Sequence, residues 1–137
     1  MSFSQGEHTF EDGILISGEE IRGYTAASAL VAGEPVAVSG EYEVDAASDA
    51  GAFVGVAAYD VAAGEEVAVL SDTCEVRGLL ASEAISAGDA VTTAGSGKFR
   101  VATGSENAVA LAQTGAGGDG ETFQAYLTFV VGNFGGT

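Results

Sequence analysis

The chain has 137 residues, a single-domain length, and 20 acidic against 4 basic side chains give it a formal charge of −16. That balance excludes ordinary nucleic-acid binding, which needs Lys and Arg clustered along a groove, and docking on an anionic membrane surface. Hydrophobic residues make up 47% of the chain, so it has the composition to fold, unlike a disordered polyanion.

The first segment, residues 1–25, differs in texture from the rest of the chain. Met1 to Glu7 has neither the basic nor the apolar region of a signal peptide. Phe3, Phe10, Ile14 and Ile16 are spaced along it as apolar anchors. They are the candidate partner contacts, since an extended arm can add a strand to a neighbour's sheet edge. The competing expectation is that Ile14 and Ile16 complete the domain's own sheet. The lone His8 also falls here, so a hydrolytic triad would have to draw its base from a tail.

From residue 26 to 137 the sequence reads as one β domain ending in a Gly-rich tail, Gly132 to Thr137. Val36 and Val38 alternate, as do Val67 and Val69, Cys74 and Val76, and Phe99 and Val101. Period-two patterning with frequent turn residues predicts an all-β fold, a small β-barrel or β-sandwich. Pro35 opens a run, where a missing N–H does least harm. Two stretches, 26–31 and 82–86, could make little more than a helical turn each.

The domain carries a pseudo-twofold internal repeat, with halves at about 29–75 and 84–130. Val31-Ala32-Gly33-Glu34-Pro35-Val36 returns 55 residues later as Ser86-Ala87-Gly88-Asp89-Ala90-Val91. Tyr42-Glu43-Val44 is echoed by Phe99-Arg100-Val101, Ala52 to Ala57 by Ala108 to Ala112, and Gly64-Glu65-Glu66-Val67 by Gly120-Glu121-Thr122-Phe123. Gly33, Gly64, Gly88 and Gly120 are the expected structural turns, each followed by an acid and then a strand. The two halves are expected to pair with one another.

Several apparent chemical motifs dissolve on their context. Gly115 to Gly120 matches the dinucleotide fingerprint, but the aromatic, β-branched run after it predicts a strand where that fingerprint needs a helix. Gly95-Ser96-Gly97-Lys98 lacks the Ser or Thr of a phosphate loop, because Phe99 stands there. One Cys, Cys74, allows no disulfide and no Cys-based zinc site, and no calcium-loop spacing occurs. No catalytic residue, metal or cofactor is therefore expected, and the chain is read as a non-enzyme. No apolar run reaches the ~18 residues of a membrane helix. The acids are scattered from Glu7 to Glu121, an even surface charge of the kind that high salt screens, which predicts a halophilic source.

The order Ala-Gly-acid-x-Val, then Ala52-Phe53-Val54-Gly55-Val56-Ala57, then Ala63-Gly64-Glu65-Glu66-Val67-Ala68-Val69, then Ile85-Ser86-Ala87-Gly88-Asp89-Ala90-Val91 resembles the capsid decoration, or cement, proteins of tailed phages. The resemblance spans roughly residues 29–127. It implies an all-β protein on the outside of an icosahedral capsid, partnered with the major capsid protein and with itself as a trimer at three-fold or quasi-three-fold positions, and it carries no catalytic residues. The acidity and the N-terminal segment depart from the pattern and point to a virus of a halophilic archaeon. A carbohydrate-binding or adhesin-like β module, and a turret or tail subunit of such a virus, are the alternatives.

Overall fold

The computed structural model describes residues 14–18, 21–71 and 74–128. Strands succeed one another without a helix among these residues: β1 Leu15–Ser17, β2 Ile21–Ala26, β3 Pro35–Gly40, β4 Glu43–Ala46, β5 Gly55–Ala57, β6 Glu66–Leu70, β7 Glu75–Leu80, β8 Ala90–Gly95, β9 Lys98–Val101, β10 Ala110–Ala112 and β11 Thr122–Leu127. Alternation sets which side chains go in. In β6, Val67 and Val69 are buried while Glu66 is exposed, and in β11 Phe123, Ala125 and Leu127 are buried between partly open neighbours.

The first five strands after β1 close into a barrel in the order β2-β4-β3-β5-β6. β2 runs antiparallel to β6, from Ile21 opposite Leu70 to Thr25 opposite Glu66, and its last residues lie parallel to β4. The second half repeats this circuit as β7-β11-β10-β8-β9. A parallel bridge between Ala81 and Phe99 brings β9 back to the end of β7, with the Ser82 N–H donating to the Phe99 carbonyl at 2.8 Å. β1 adds to β7 as an outer strand, Leu15 opposite Val76.

The repeat is visible bond by bond. Gly33 donates to Ala57 at 2.8 Å and Gly88 to Ala112 at 2.7 Å; Val54 to Val36 at 2.9 Å and Val109 to Val91 at 2.8 Å; Gly64 to Ala26 and Gly120 to Ala81, each at 2.8 Å. These pairs correct the sequence alignment in two places. Glu43-Val44 corresponds to Lys98-Phe99, because Val38 pairs with Val44 as Thr93 does with Phe99. Gly55 corresponds to Ala110, since these are the residues opposite Val36 and Val91. The bonds also begin each half one strand earlier. Ile21-Arg22-Gly23-Tyr24-Thr25-Ala26 of β2 matches Val76-Arg77-Gly78-Leu79-Leu80-Ala81 at the same spacing of 55. Residue 25, where the sequence pattern ends the arm, thus lies inside a barrel strand.

The halves do not pair as expected. The first half closes its ladders on itself, the second returns β9 to the end of β7 by one bridge, and among the described strands no ladder joins one half to the other. They are joined instead by the Ala50 N–H, which donates to the Thr93 carbonyl at 2.8 Å, and by side chains: Phe53 of the first half reaches into the core of the second, where its ring meets Phe99 edge-on at 6.5 Å, and Phe99 meets Phe123 edge-on at 5.9 Å. Such edge-to-face pairs add about 0.5–1.5 kcal/mol each beyond the area they bury. A smaller core of Ala26, Leu30, Val36, Val44, Ala57, Val67 and Val69 fills the first barrel.

Candidate functional site

The turn chemistry explains where the acids go. In four turns the acid closes the turn through its backbone N–H: Glu34 to Val31 at 3.0 Å, Asp89 to Ser86 at 3.0 Å, Glu65 to Ala62 at 3.1 Å and Glu121 to Gly118 at 3.2 Å. The carboxylate then reaches back to accept an N–H at the start of the turn, from Val31, Ser86, Ala62 and Gly117 respectively. Gly33, Gly64, Gly88 and Gly120 before or near these acids take φ between +85° and +95°, where a Cβ is disfavoured. These carboxylates are turn staples facing water, and none is buried.

One charged network is more than a staple. Arg100 donates from Nε and Nη2 to the Asp49 carboxylate at 2.9 and 3.3 Å, and from Nη1 and Nη2 to Glu106 at 2.9 and 2.7 Å. It ties the loop after β4 to the loop after β9. The guanidinium, helped by the Thr103 N–H, pulls the Glu106 carboxyl down to about 2, and it also lowers Asp49. Asp45 is lowered by the Ser28 hydroxyl and the Ala46 N–H. Every one of these shifts favours the ionised form, so none equips a carboxyl as a general acid. Among the described residues no three His, Cys, Asp or Glu converge as a metal site, and Cys74 is a buried thiol.

The Gly-rich stretches fall between strands. Gly115 to Gly120 lies between β10 and β11, so a strand comes next where a nucleotide fold needs a helix, and Ser96-Gly97 is the turn of the β8–β9 hairpin.

Of the residues singled out as partner contacts, Phe3 and Phe10 lie outside the described residues. Ile14 packs on the core of the second half, and its carbonyl accepts the Arg77 N–H at 2.9 Å. Ile16, two residues later and inside β1, is 40% exposed. The structure therefore separates the two isoleucines that the sequence grouped. Ile14 is used by its own domain and Ile16 faces outward.

A second exposed apolar site was not evident from the sequence. It is the β3–β4 hairpin, where Val38 is 57% and Tyr42 75% exposed. Tyr42 has φ +53°, a left-handed conformation that is uncommon outside Gly, Asn and Asp. Its counterpart in the second hairpin is Gly97, with φ +77°. The signal for this site was the misfit itself, a tyrosine at a position the repeat fills with glycine. It becomes visible only once the hairpins are aligned by their hydrogen bonds.

Comparison with known proteins agrees with this geometry. A family model described as phage cement protein matches residues 16–127. No curated protein sequence matches. Among solved structures, the head fiber gp8.5 N base of bacteriophage phi29 is similar, with a TM-score of 0.65 at 20% identity, over 79% of this chain and 92% of that one. At that identity the likeness speaks for the fold. With the family model covering most of its length, this chain belongs to the phage cement protein family and is a capsid-associated structural protein.

Proposed function

We propose that the protein binds the outer surface of an icosahedral capsid, on the major capsid protein, and stabilises it as a trimer at three-fold or quasi-three-fold positions of a halophilic virus. The observation that carries the reading is the family match over residues 16–127. The closed barrel, the sheet packed with it and the stapled turns supply a rigid body suited to clamping a shell. The salt reading rests on the charge of −16 and on the outward placement of the described carboxylates. At molar salt the Debye length is about 3 Å, so attachment rests on short-range contacts. Apolar burial at ~25 cal/mol per Å² and multivalency provide them, with residues 1–12, including Phe3 and Phe10, as the attaching arm.

The test mixes purified protein with undecorated shells in molar NaCl and counts copies per capsid subunit by cryo-microscopy. Shells should saturate at a fixed ratio, survive heating longer, and lose most of their coat when residues 1–12 are deleted. Shells that stay bare with the full chain overturn the cement reading; a truncated chain that coats equally well overturns the arm.

A further inference from the structure

β10 and β11 divide their side chains between two faces. Ala110, Ala112, Ala125 and Leu127 are buried inside, while Leu111, opposite Tyr126, faces outward and is 43% exposed. Tyr126 lies in turn opposite Glu75 of β7, and Glu75 opposite Ser17 of β1, so one row crosses four strands on the outer face. Beside it runs a chain of ordered polar groups. The Gln124 amide donates to the Gln113 side-chain oxygen at 3.1 Å, the Gln113 amide to the Glu75 carboxylate at 3.1 Å, and the Ser17 hydroxyl to the other Glu75 oxygen at 3.0 Å.

The repeat gives this face a precedent. Val56 and Leu70 are the counterparts of Leu111 and Tyr126, since each pair is opposed in the same way. Ala58 and Ala68 are the counterparts of Gln113 and Gln124, the first N–H of each pair donating to the second carbonyl, at 2.9 and 2.7 Å. In the first half this face is covered: Val56, Ala58 and Leu70 are buried in one cluster with Phe99 and Phe123 of the second half. In the second half Leu111 is left exposed, and glutamines stand where the first half has alanines. A face that this fold already uses as an interface is here open and partly polar, the make-up of a surface that meets its partner after folding.

It is also nearly free of net charge. β7, β10 and β11 hold one acid, Glu75, and one base, Arg77, in a chain of formal charge −16. Arg77 is exposed, and among the described residues no carboxylate pairs with it. It stands on a bulge, Arg77 and Gly78 together opposing Gln124, which β2 lacks in its pairing with β6; a bulge re-aims the side chains it carries. The Arg77 N–H donates to the Ile14 carbonyl at 2.9 Å, so the segment that carries Phe3 and Phe10 joins the domain at the rim of this face.

We propose that the outer face of β7, β11 and β10, centred on Leu111 and Tyr126 with Arg77 at its rim, is the surface that docks on the major capsid protein. The proposal rests on the cement reading for its partner and adds the place of contact. Molar salt screens charges more than about 3 Å apart, yet like charges pressed together still oppose docking. A face without net charge is where so acidic a chain can be buried against a shell. Tyr and Arg are the side chains that most often anchor such contacts, and a carboxylate of the shell is the group that Arg77 fits.

The experiment uses the full chain and undecorated shells in molar NaCl. Leu111→Cys should react with a maleimide in the free chain and be shielded on shells, while Val38→Cys, at the other exposed apolar site, reacts equally in both; the native Cys74 is buried. Leu111→Glu should weaken coating by about tenfold or more, with an unchanged far-ultraviolet spectrum, and Arg77→Gln should weaken it less. A Leu111→Cys chain that stays reactive on coated shells, or a Leu111→Glu chain that coats as well as the unmodified one, overturns the face and leaves the cement function standing. Shielding that grows with concentration in the absence of shells gives the face to a second copy and overturns the proposal as well. Shells left bare by the unmodified chain would remove the cement reading itself, and this face with it.

Discussion

Arg100 is the side chain on which the charge balance between the two loops turns. With Glu106 held at about 2 against an ordinary 4.5, the folded chain binds fewer protons than the unfolded one between those values. The contribution is therefore complete above about pH 5 and vanishes as pH falls through about 2. Asp49 acts in the same direction. Protonating the remaining surface acids works oppositely, because it relieves self-repulsion, so the raw pH profile mixes two trends. An Arg100→Met variant separates them. The difference in melting temperature between the native chain and the variant should be largest near neutral pH and shrink towards zero by about pH 2. A difference that stays constant across that range would show that the network adds nothing to stability.

The strands of the two halves perform the same tasks with different residues, and the repeat serves as an internal control. Gly55 opens β5 opposite Val36, and Ala110 opens β10 opposite Val91. Yet a Cβ built on Gly55 would lie 2.2 Å from the Leu70 carbonyl oxygen and 2.7 Å from a Val69 methyl. The first barrel is drawn tighter at this corner than the second. Gly55→Ala should destabilise by about 1–3 kcal/mol, the range for forcing atoms into a packed core, read by chemical denaturation. Gly88→Ala isolates the other glycine effect: φ is +95° and nothing lies within 4 Å of the added atom. Its cost is the left-handed backbone alone, about 1–2 kcal/mol. If Gly55→Ala proved neutral, the tighter corner of the first barrel would be an incorrect description.

For the whole molecule the governing quantity is net charge. A formal −16 on one small domain repels itself over about 10 Å at 0.1 M salt and over about 3 Å at 1 M. Only three described ion pairs of 4.0 Å or less offset it, through Lys98 and Arg100, too few and too exposed to counter the excess. The melting temperature should therefore climb steeply with NaCl from tens of millimolar to molar, in a single transition, because Phe53 and Phe99 bind the halves into one core. A flat profile would remove the halophilic explanation of the acids, and two separate transitions would show that the barrels fold independently.

Local patterns carried the fold class, and they did so because their causes are local. Alternating Val and Phe specify strands, and an Ala-Gly-acid phrase specifies a turn whose glycine takes positive φ and whose carboxylate staples the N–H three residues back. The same phrase, recurring at a spacing of 55, exposed the duplication. Strand registration was beyond reach, since it depends on bonds between segments far apart in sequence: Ile21-Arg22-Gly23 reads as a tail until β6 pairs with it. The separation of Ile14 from Ile16 came from β1 docking on β7, which turns one inward and the other out. The bareness of Val38 beside the burial of Thr93 was likewise decided in three dimensions. Composition cannot say which of two equivalent edges receives a loop, because that choice is made when one half folds against the other.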